Sequence, residues 1–173
     1  KSKLLNDTIL KYNLKYAIDI GCGDGNNLSL FEVCNYSGID VSKSIIEENK
    51  KRFISNKSKK FYLLENNHLK IVDEINRSIN KNDSIIVSFD VILHLVEDYN
   101  YKDHLDFINS IRASYCLVSS SDENIDYNPL IPHVKHRNYS KDFLSAGWEL
   151  IIEKKIPNCP DKRDIKLFKR NLY

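Results

Sequence analysis

Ala17-Ile18-Asp19-Ile20-Gly21-Cys22-Gly23-Asp24-Gly25-Asn26-Asn27 is the stretch that decides the reading of this chain. An apolar run ends in three glycines at alternate positions, the pattern of a buried strand, a tight turn and a helix start. Glycines so spaced let the backbone take φ > 0 and approach a ligand closely, and the N–H groups of a helix start beyond them suit a negative group. A nucleotide-like cofactor is the expected guest. The dinucleotide fingerprint G-x-G-x-x-G needs a glycine where Asn26 stands, so NAD is disfavoured. Asp40 ends a second apolar run about 20 residues on, where a carboxylate accepts both hydroxyl protons of a ribose. Asp24 reads as readily as a turn or cap residue as it does as a ligand contact.

Working outward, the pattern repeats. Leu4, Leu5, Ile9 and Tyr12 fit a short amphipathic helix ahead of a strand over 16–20. A second strand is expected over 37–41, then a helix opened by a capping box from Ser44 to Glu47. Strands follow over 61–64, 84–89 and 115–119, with helical stripes at Leu69, Val72, Ile75 and Ile79 and at Leu105, Ile108 and Ile111. Strand–helix alternation of this kind means a parallel sheet. From 122 to 138 the pattern fails around Pro129 and Pro132, an irregular loop of the length associated with binding loops. A helix over 140–146 closed by Gly147 and two strands over 148–155 and 164–171 predict a terminal antiparallel hairpin.

With 173 residues, 42% hydrophobic and 29% charged, the chain is expected to form one domain over 1–173, without a metal or disulfide staple. No apolar run approaches the roughly 20 residues of a membrane span. The net charge of +2 supplies no global field for nucleic acid or an anionic membrane. The four cysteines have no C-x-x-C spacing, so reduced thiols and a cytoplasmic location are expected. Methionine is absent, even as an initiator, so the sequence is expected to begin inside a longer gene product.

Hydrophobic-Asp-hydrophobic-Gly-x-Gly-x-Gly, with a strand ending in Gly38-Ile39-Asp40-Val41-Ser42, resembles the class I S-adenosylmethionine-dependent methyltransferases. The resemblance runs through nearly the whole chain, because Ser88-Phe89-Asp90-Val91-Ile92-Leu93-His94-Leu95 resembles the family's fourth strand and exit loop. A His-Leu-Val-Glu-Asp segment from His94 and a His-x-x-His-Arg segment from His133 are similar to a bacterial subgroup of small methyltransferases. The resemblance implies a Rossmann-like three-layer α/β sandwich, with a mostly parallel seven-stranded sheet and a C-terminal antiparallel hairpin. It implies S-adenosylmethionine as cofactor. Asp19 then holds its ammonium through water, Gly21, Gly23 and Gly25 make room for the methionyl part, and Asp40 grips the ribose. Asp90 lies beside the sulfonium, and Asn66, in a Glu65-Asn66-Asn67 tip that departs from the family's usual acid, faces the adenine.

The acceptor is less legible. A hydroxyl acceptor needs a base, and histidine is suited to that at neutral pH. His94 stands first and His133 and His136 follow, each reading equally as a structural or solvated residue. His68 and His104 read as exposed bystanders. The fourth strand lacks the Asn-Pro-Pro-aromatic or Asp-Pro-Pro-aromatic motif of methyltransferases acting on DNA bases, so a small-molecule, glycan-type or carrier-linked acceptor is expected, with no nucleic acid and no membrane. Lys135 to Arg137 are placed to hold a phosphate or carboxylate on it. No H-E-x-x-H or C-x-x-C spacing supports a metal. The competing reading is a cofactor-fold regulatory or partner subunit with no transfer activity of its own, since fold does not dictate function.

Overall fold

The computed structural model describes residues 1–65, 68–123, 125, 131–157, 159 and 163–170. Seven strands form one sheet, β1 (Tyr16–Ile20), β2 (Asn35–Asp40), β3 (Lys59–Leu63), β4 (Ser84–Phe89), β5 (Tyr115–Ser121), β6 (Glu149–Lys155) and β7 (Arg163–Lys169). Their order is β3-β2-β1-β4-β5-β7-β6. The first five are parallel, and β7 runs antiparallel to both β5 and β6. This is the mostly parallel α/β sandwich with an antiparallel end that the sequence predicts.

Among the described residues, five α-helices cover the two faces: α1 (Ser2–Tyr12), α2 (Lys43–Arg52), α3 (His68–Ser78), α4 (Asp98–Ser110) and α5 (Tyr139–Ser145). Alternation along β1 divides the core. Tyr16, Ile18 and Ile20 pack with Val72, Ile75, Phe107, Ile108 and Phe143 of α3, α4 and α5, whereas Ala17 packs with Leu5, Ile9 and Ile46 of α1 and α2. Both layers are needed because β1, β4 and β5 are buried on both faces. Trp148 is buried against Phe143 and donates from Nε1 to Asn109 at 2.8 Å, anchoring the core beside β6. No helix among the described residues is long and apolar enough to cross a membrane.

Several local expectations are corrected. No α-helix follows the glycine turn: a single 3-10 turn over Asn27–Leu30 occupies the short span before β2 begins at Asn35. The Ser44–Glu47 capping box does not form, because α2 begins one residue after Asp40-Val41-Ser42, with Ser42 as its N-cap. The Ser42 N–H instead donates to Asp40 Oδ1 at 2.9 Å. Strands β2 and β3 each begin two residues earlier than predicted, and β5 runs on through Ser120 and Ser121, whose polar side chains hide their strand character.

Candidate active site

The carboxyl ends of β1 to β4 open on one cavity of about 850 Å³, walled on its far side by α4. This is where an open α/β sheet binds ligands, at the point where strand order reverses between β1 and β4. The volume is within the usual range for a small-molecule pocket. Gly21, Asp40, Asp90 and His94 all line it.

The glycine turn is built around left-handed backbone. Gly21, Gly23 and Gly25 have φ of 78°, 53° and 72°. A Cβ on Gly21 would run into the Cγ2 methyl of Val91, whereas one on Gly23 would meet no atom within 4 Å, so open space lies over that residue. Asp40 fastens the turn by accepting the Gly23 N–H on Oδ2 at 3.0 Å. Its exposed edge faces the cavity. Asp24 accepts from the Asn26 amide at 3.0 Å and from its side chain at 2.6 Å, so it is a turn residue. A cavity floored by a Cβ-free turn and bordered by a half-buried carboxylate fits a nucleoside-bearing cofactor.

Asp19 lies beneath the turn and off the cavity wall. Its odd position on β1 turns it to the α1 and α2 face, away from Ile20, and Tyr36 donates to its Oδ2 at 2.8 Å. Burial, opposed by that hydrogen bond and reinforced by the Asp40 charge, pushes the Asp19 carboxyl up to about 7. Burial likewise raises the Cys22 thiol, which leaves it an inert filler. Asn66 lies outside the described residues.

Asp90 caps β4 in a left-handed conformation, φ 60°, rare for a residue with a Cβ. Its N–H reaches the Ser119 carbonyl at 2.8 Å. Its carboxylate pairs with Lys1 and with Arg163 at 3.4 Å and accepts from Ser119 Oγ at 3.2 Å. Backbone strain at the end of a central strand is the kind that functional sites hold in place.

Among the candidate histidines, the structure brings His94 and His133 together and leaves His136 apart. His94 Nδ1 lies 3.2 Å from the His133 carbonyl oxygen, and the two rings stack at 6.2 Å. His136 is held instead by Ser121 Oγ at 2.7 Å. The expectation that Lys135 and Arg137 hold an acceptor's anion is corrected, because both are taken by Asp98 at 2.6 Å. Those bonds depress the Asp98 carboxyl although its side chain is 82% exposed. Arg137 also donates to the Val96 carbonyl at 3.0 Å and lies over the Tyr101 ring, so it pins the 131–138 segment to the start of α4.

The bystander readings of His104 and His68 are overturned. His104 is buried, lines the cavity and shares a hydrogen bond of 3.2 Å with Ser88 Oγ. Burial lowers its pKa to about 4, so its ring is neutral at physiological pH. His68 begins α3, lines the same cavity and meets Phe107 edge-on. A signal for His104 was present in the sequence: it shares the 101, 104, 108 stripe with Tyr101 and Ile108, the buried face of α4.

Residues 18–114, more than half of the chain, match the family described as a methyltransferase domain. The chain belongs to that family. It is a class I S-adenosylmethionine-dependent methyltransferase with the Rossmann-like fold. No curated protein matches the sequence. Among solved structures, the N-methyltransferase NodS of Bradyrhizobium japonicum WM9 with S-adenosyl-L-homocysteine is 14% identical, with a TM-score of 0.71 over 99% of this chain and 85% of that one. A Clostridium acetobutylicum S-adenosylmethionine-dependent methyltransferase is 12% identical, with a TM-score of 0.67 over 99% and 91%. The [4+2]-cyclase SpnF is 10% identical, with a TM-score of 0.69 over 99% and 82%. At these identities the likeness is one of fold, and the cyclase carries a reaction of a different name on it.

Proposed function

We propose that this methyltransferase transfers its methyl group to a hydroxyl of a small-molecule or carrier-linked acceptor, a sugar or a phosphorylated metabolite, in the cytoplasm. The observation that carries the hydroxyl reading is the His94 contact. A carbonyl oxygen only accepts, so Nδ1 carries a proton, and in the neutral ring this leaves the lone pair on Nε2, the tautomer a general base needs. When bound, S-adenosylmethionine supplies a methyl on a sulfonium, an electrophile needing no further activation.

The residues of this chain then bind, orient and move one proton. Asp40 would accept from the ribose hydroxyls, the glycine turn would pass beneath the methionyl part, Asp90 would stand on its sulfonium side, and Asp19, buried beneath the turn, would reach its ammonium only through water. The sulfonium would supply the methyl to the acceptor oxygen, its C–S electron pair staying on sulfur. His94 Nε2 takes the hydroxyl proton, and His133 steadies the imidazolium through its carbonyl. Exclusion of water and alignment supply most of the acceleration.

The test is transfer of label from methyl-labelled S-adenosylmethionine to fractionated metabolites and glycans by the isolated chain. Label on a hydroxyl oxygen supports the reading. Label on nitrogen or carbon overturns it, and no transfer by a chain that binds the cofactor favours the partner-subunit alternative.

A further inference from the structure

We infer that the surface made by the last turn of α2 and the first residues of β3 is a docking site for a partner protein, one that presents an acidic face around an apolar recess. Between Glu48 and Glu65 the chain has no acid, yet Lys50, Lys51, Arg52, Lys57, Lys59 and Lys60 fall within it. The rest of the chain therefore carries 20 cations against 24 acids, a net −4, so this stretch alone turns the chain's net charge positive. Some of these residues have local reasons. A helix C-terminus favours cations, and lysines on an edge strand discourage sheet-to-sheet pairing. Neither reason places Lys57 in the connection between them, and neither accounts for Ile54, which is 81% exposed in its midst.

The same residues frame a shallow cleft of about 320 Å³, with Lys50, Lys57 and Lys60 around Ile54. Lys50, Lys51 and Lys57 make no ion pair among the described residues, and only Lys60 has a nearby carboxylate, Glu74 at 3.6 Å. An apolar centre with a charged rim is the anatomy of a protein interface, and the field of the rim speeds encounter with an opposite charge. Nucleic acid fits less well. The one guanidinium, Arg52, is spent on the Asp24 carbonyl and the Asn26 side chain, so no planar fork is left for a phosphate. Phe53 is stacked on the buried Phe61 at 5.5 Å and has the Arg52 guanidinium over its ring at 5.2 Å. A membrane would take more apolar area than one isoleucine provides.

The surface opens away from the cavity, although Arg52 of its α2 part reaches the outer side of the glycine turn. Lys59 and Lys60 open β3, whereas Leu64 just beyond its other end lines the cavity, a separation of about 15 Å along the strand. Docking there leaves the cofactor site open, which separates this inference from the proposed reaction.

The test uses the full chain with a labelled helical peptide whose leucines are flanked by glutamates on the same face, at low ionic strength. A single-stranded RNA of similar length and phosphatidylserine-containing vesicles are run beside it. The expected result is that the peptide binds best, that the Lys50→Glu/Lys51→Glu/Lys57→Glu variant binds it at least tenfold more weakly and Ile54→Ser at least threefold, and that S-adenosylhomocysteine affinity is unchanged in both. The corresponding triple Gln variant reads the same effect should charge reversal disturb the α2 terminus. Tighter binding of RNA or vesicles, or a peptide affinity indifferent to either substitution, overturns the inference.

Discussion

Tyr36 donates its hydroxyl hydrogen bond to Asp19 across the β1–β2 pair at 2.8 Å, beneath the glycine turn. With the carboxyl pushed up to about 7 by burial, the folded state holds a proton that the unfolded chain, titrating near ~3.9, gives up. The folded state thus binds more protons between about pH 4 and 7, and stability falls as pH rises through that window, at up to about 1.4 kcal/mol per pH unit from this group. Asp19→Asn is expected to flatten this part of the stability curve. Denaturant midpoints at intervals from pH 4.5 to 7.5 measure it, and a curve of unchanged slope contradicts the assignment.

If Asp19 faces the cofactor's ammonium, binding draws the proton off. S-adenosylhomocysteine affinity is then expected to rise as pH climbs toward 7, with proton release. Calorimetry in two buffers of different ionisation enthalpy detects it, and identical heats argue against the contact.

Asp40 has two duties, one to the turn and one to the proposed ribose. Replacement by Ala removes the acceptor for the Gly23 and Ser42 amides along with those for the ligand. Hydrogen bonds to a charged group are worth about 1.5–3 kcal/mol, so affinity for S-adenosylhomocysteine should fall by more than about tenfold. The melting temperature should also drop as the turn loosens. Both are read in one thermal-shift titration.

Gly21 is confined both by its backbone and by its neighbour. Ala there pays for a left-handed φ, about 1–2 kcal/mol, and drives a methyl into Val91. Val91→Ala in the same chain should relieve the collision and leave the backbone cost. Partial recovery of cofactor affinity in the double variant is the expected outcome of this cycle, and full recovery would mean that strain at Gly21 is unimportant.

His94→Ala should lower turnover by about 10² while cofactor affinity is held. His133→Ala keeps the backbone carbonyl that holds Nδ1 and is therefore expected to cost far less. Equal losses in the two variants would move the base to His133.

How much of this was legible beforehand varies from element to element. Strand β4 is read to the residue because the uncharged run 84–89 is bounded by Asp83 and Asp90. The helix after Gly25 is misread because a 3-10 turn and a helix begin with the same residues. Only the nine positions left before β2 argue against a full helix, and β2 itself opens on Asn35, which does not look like a strand residue. In the cavity, the glycines, Asp40 and Asp90 are local signals, each set by its place relative to a strand end. His104 was marked only by its place in the buried stripe of α4, and the Asp98 clamp on Lys135 and Arg137 depends on how α4 lies against a segment 37 residues further on, which no local pattern carries.

Tyr139 donates to Asp164 at 2.8 Å, and Asp164 is fully buried beside Lys155 and Lys166. Tyr139→Phe leaves that acceptor short of one donor, at a cost of about 1–3 kcal/mol in stability. Cofactor affinity should not change, because the network lies at β7 and α5, away from the cavity. Chemical denaturation with a parallel binding titration separates the two.

Strand β7 lies between β5 and β6, although it is made after both. On the ribosome, then, β5 is complete while its outer edge has no neighbour, and β6 emerges with nothing to join. At ~5–20 residues per second the forty or so residues up to Arg163 take roughly two to eight seconds to appear. For that interval the chain carries a bare strand edge of Tyr-Cys-Leu-Val at its centre, with the unpaired backbone groups that recruit a second nascent chain. The demand for a chaperone during synthesis is thus greatest while the last strand is still to come, and a faster translation rate over 122–163 shortens it.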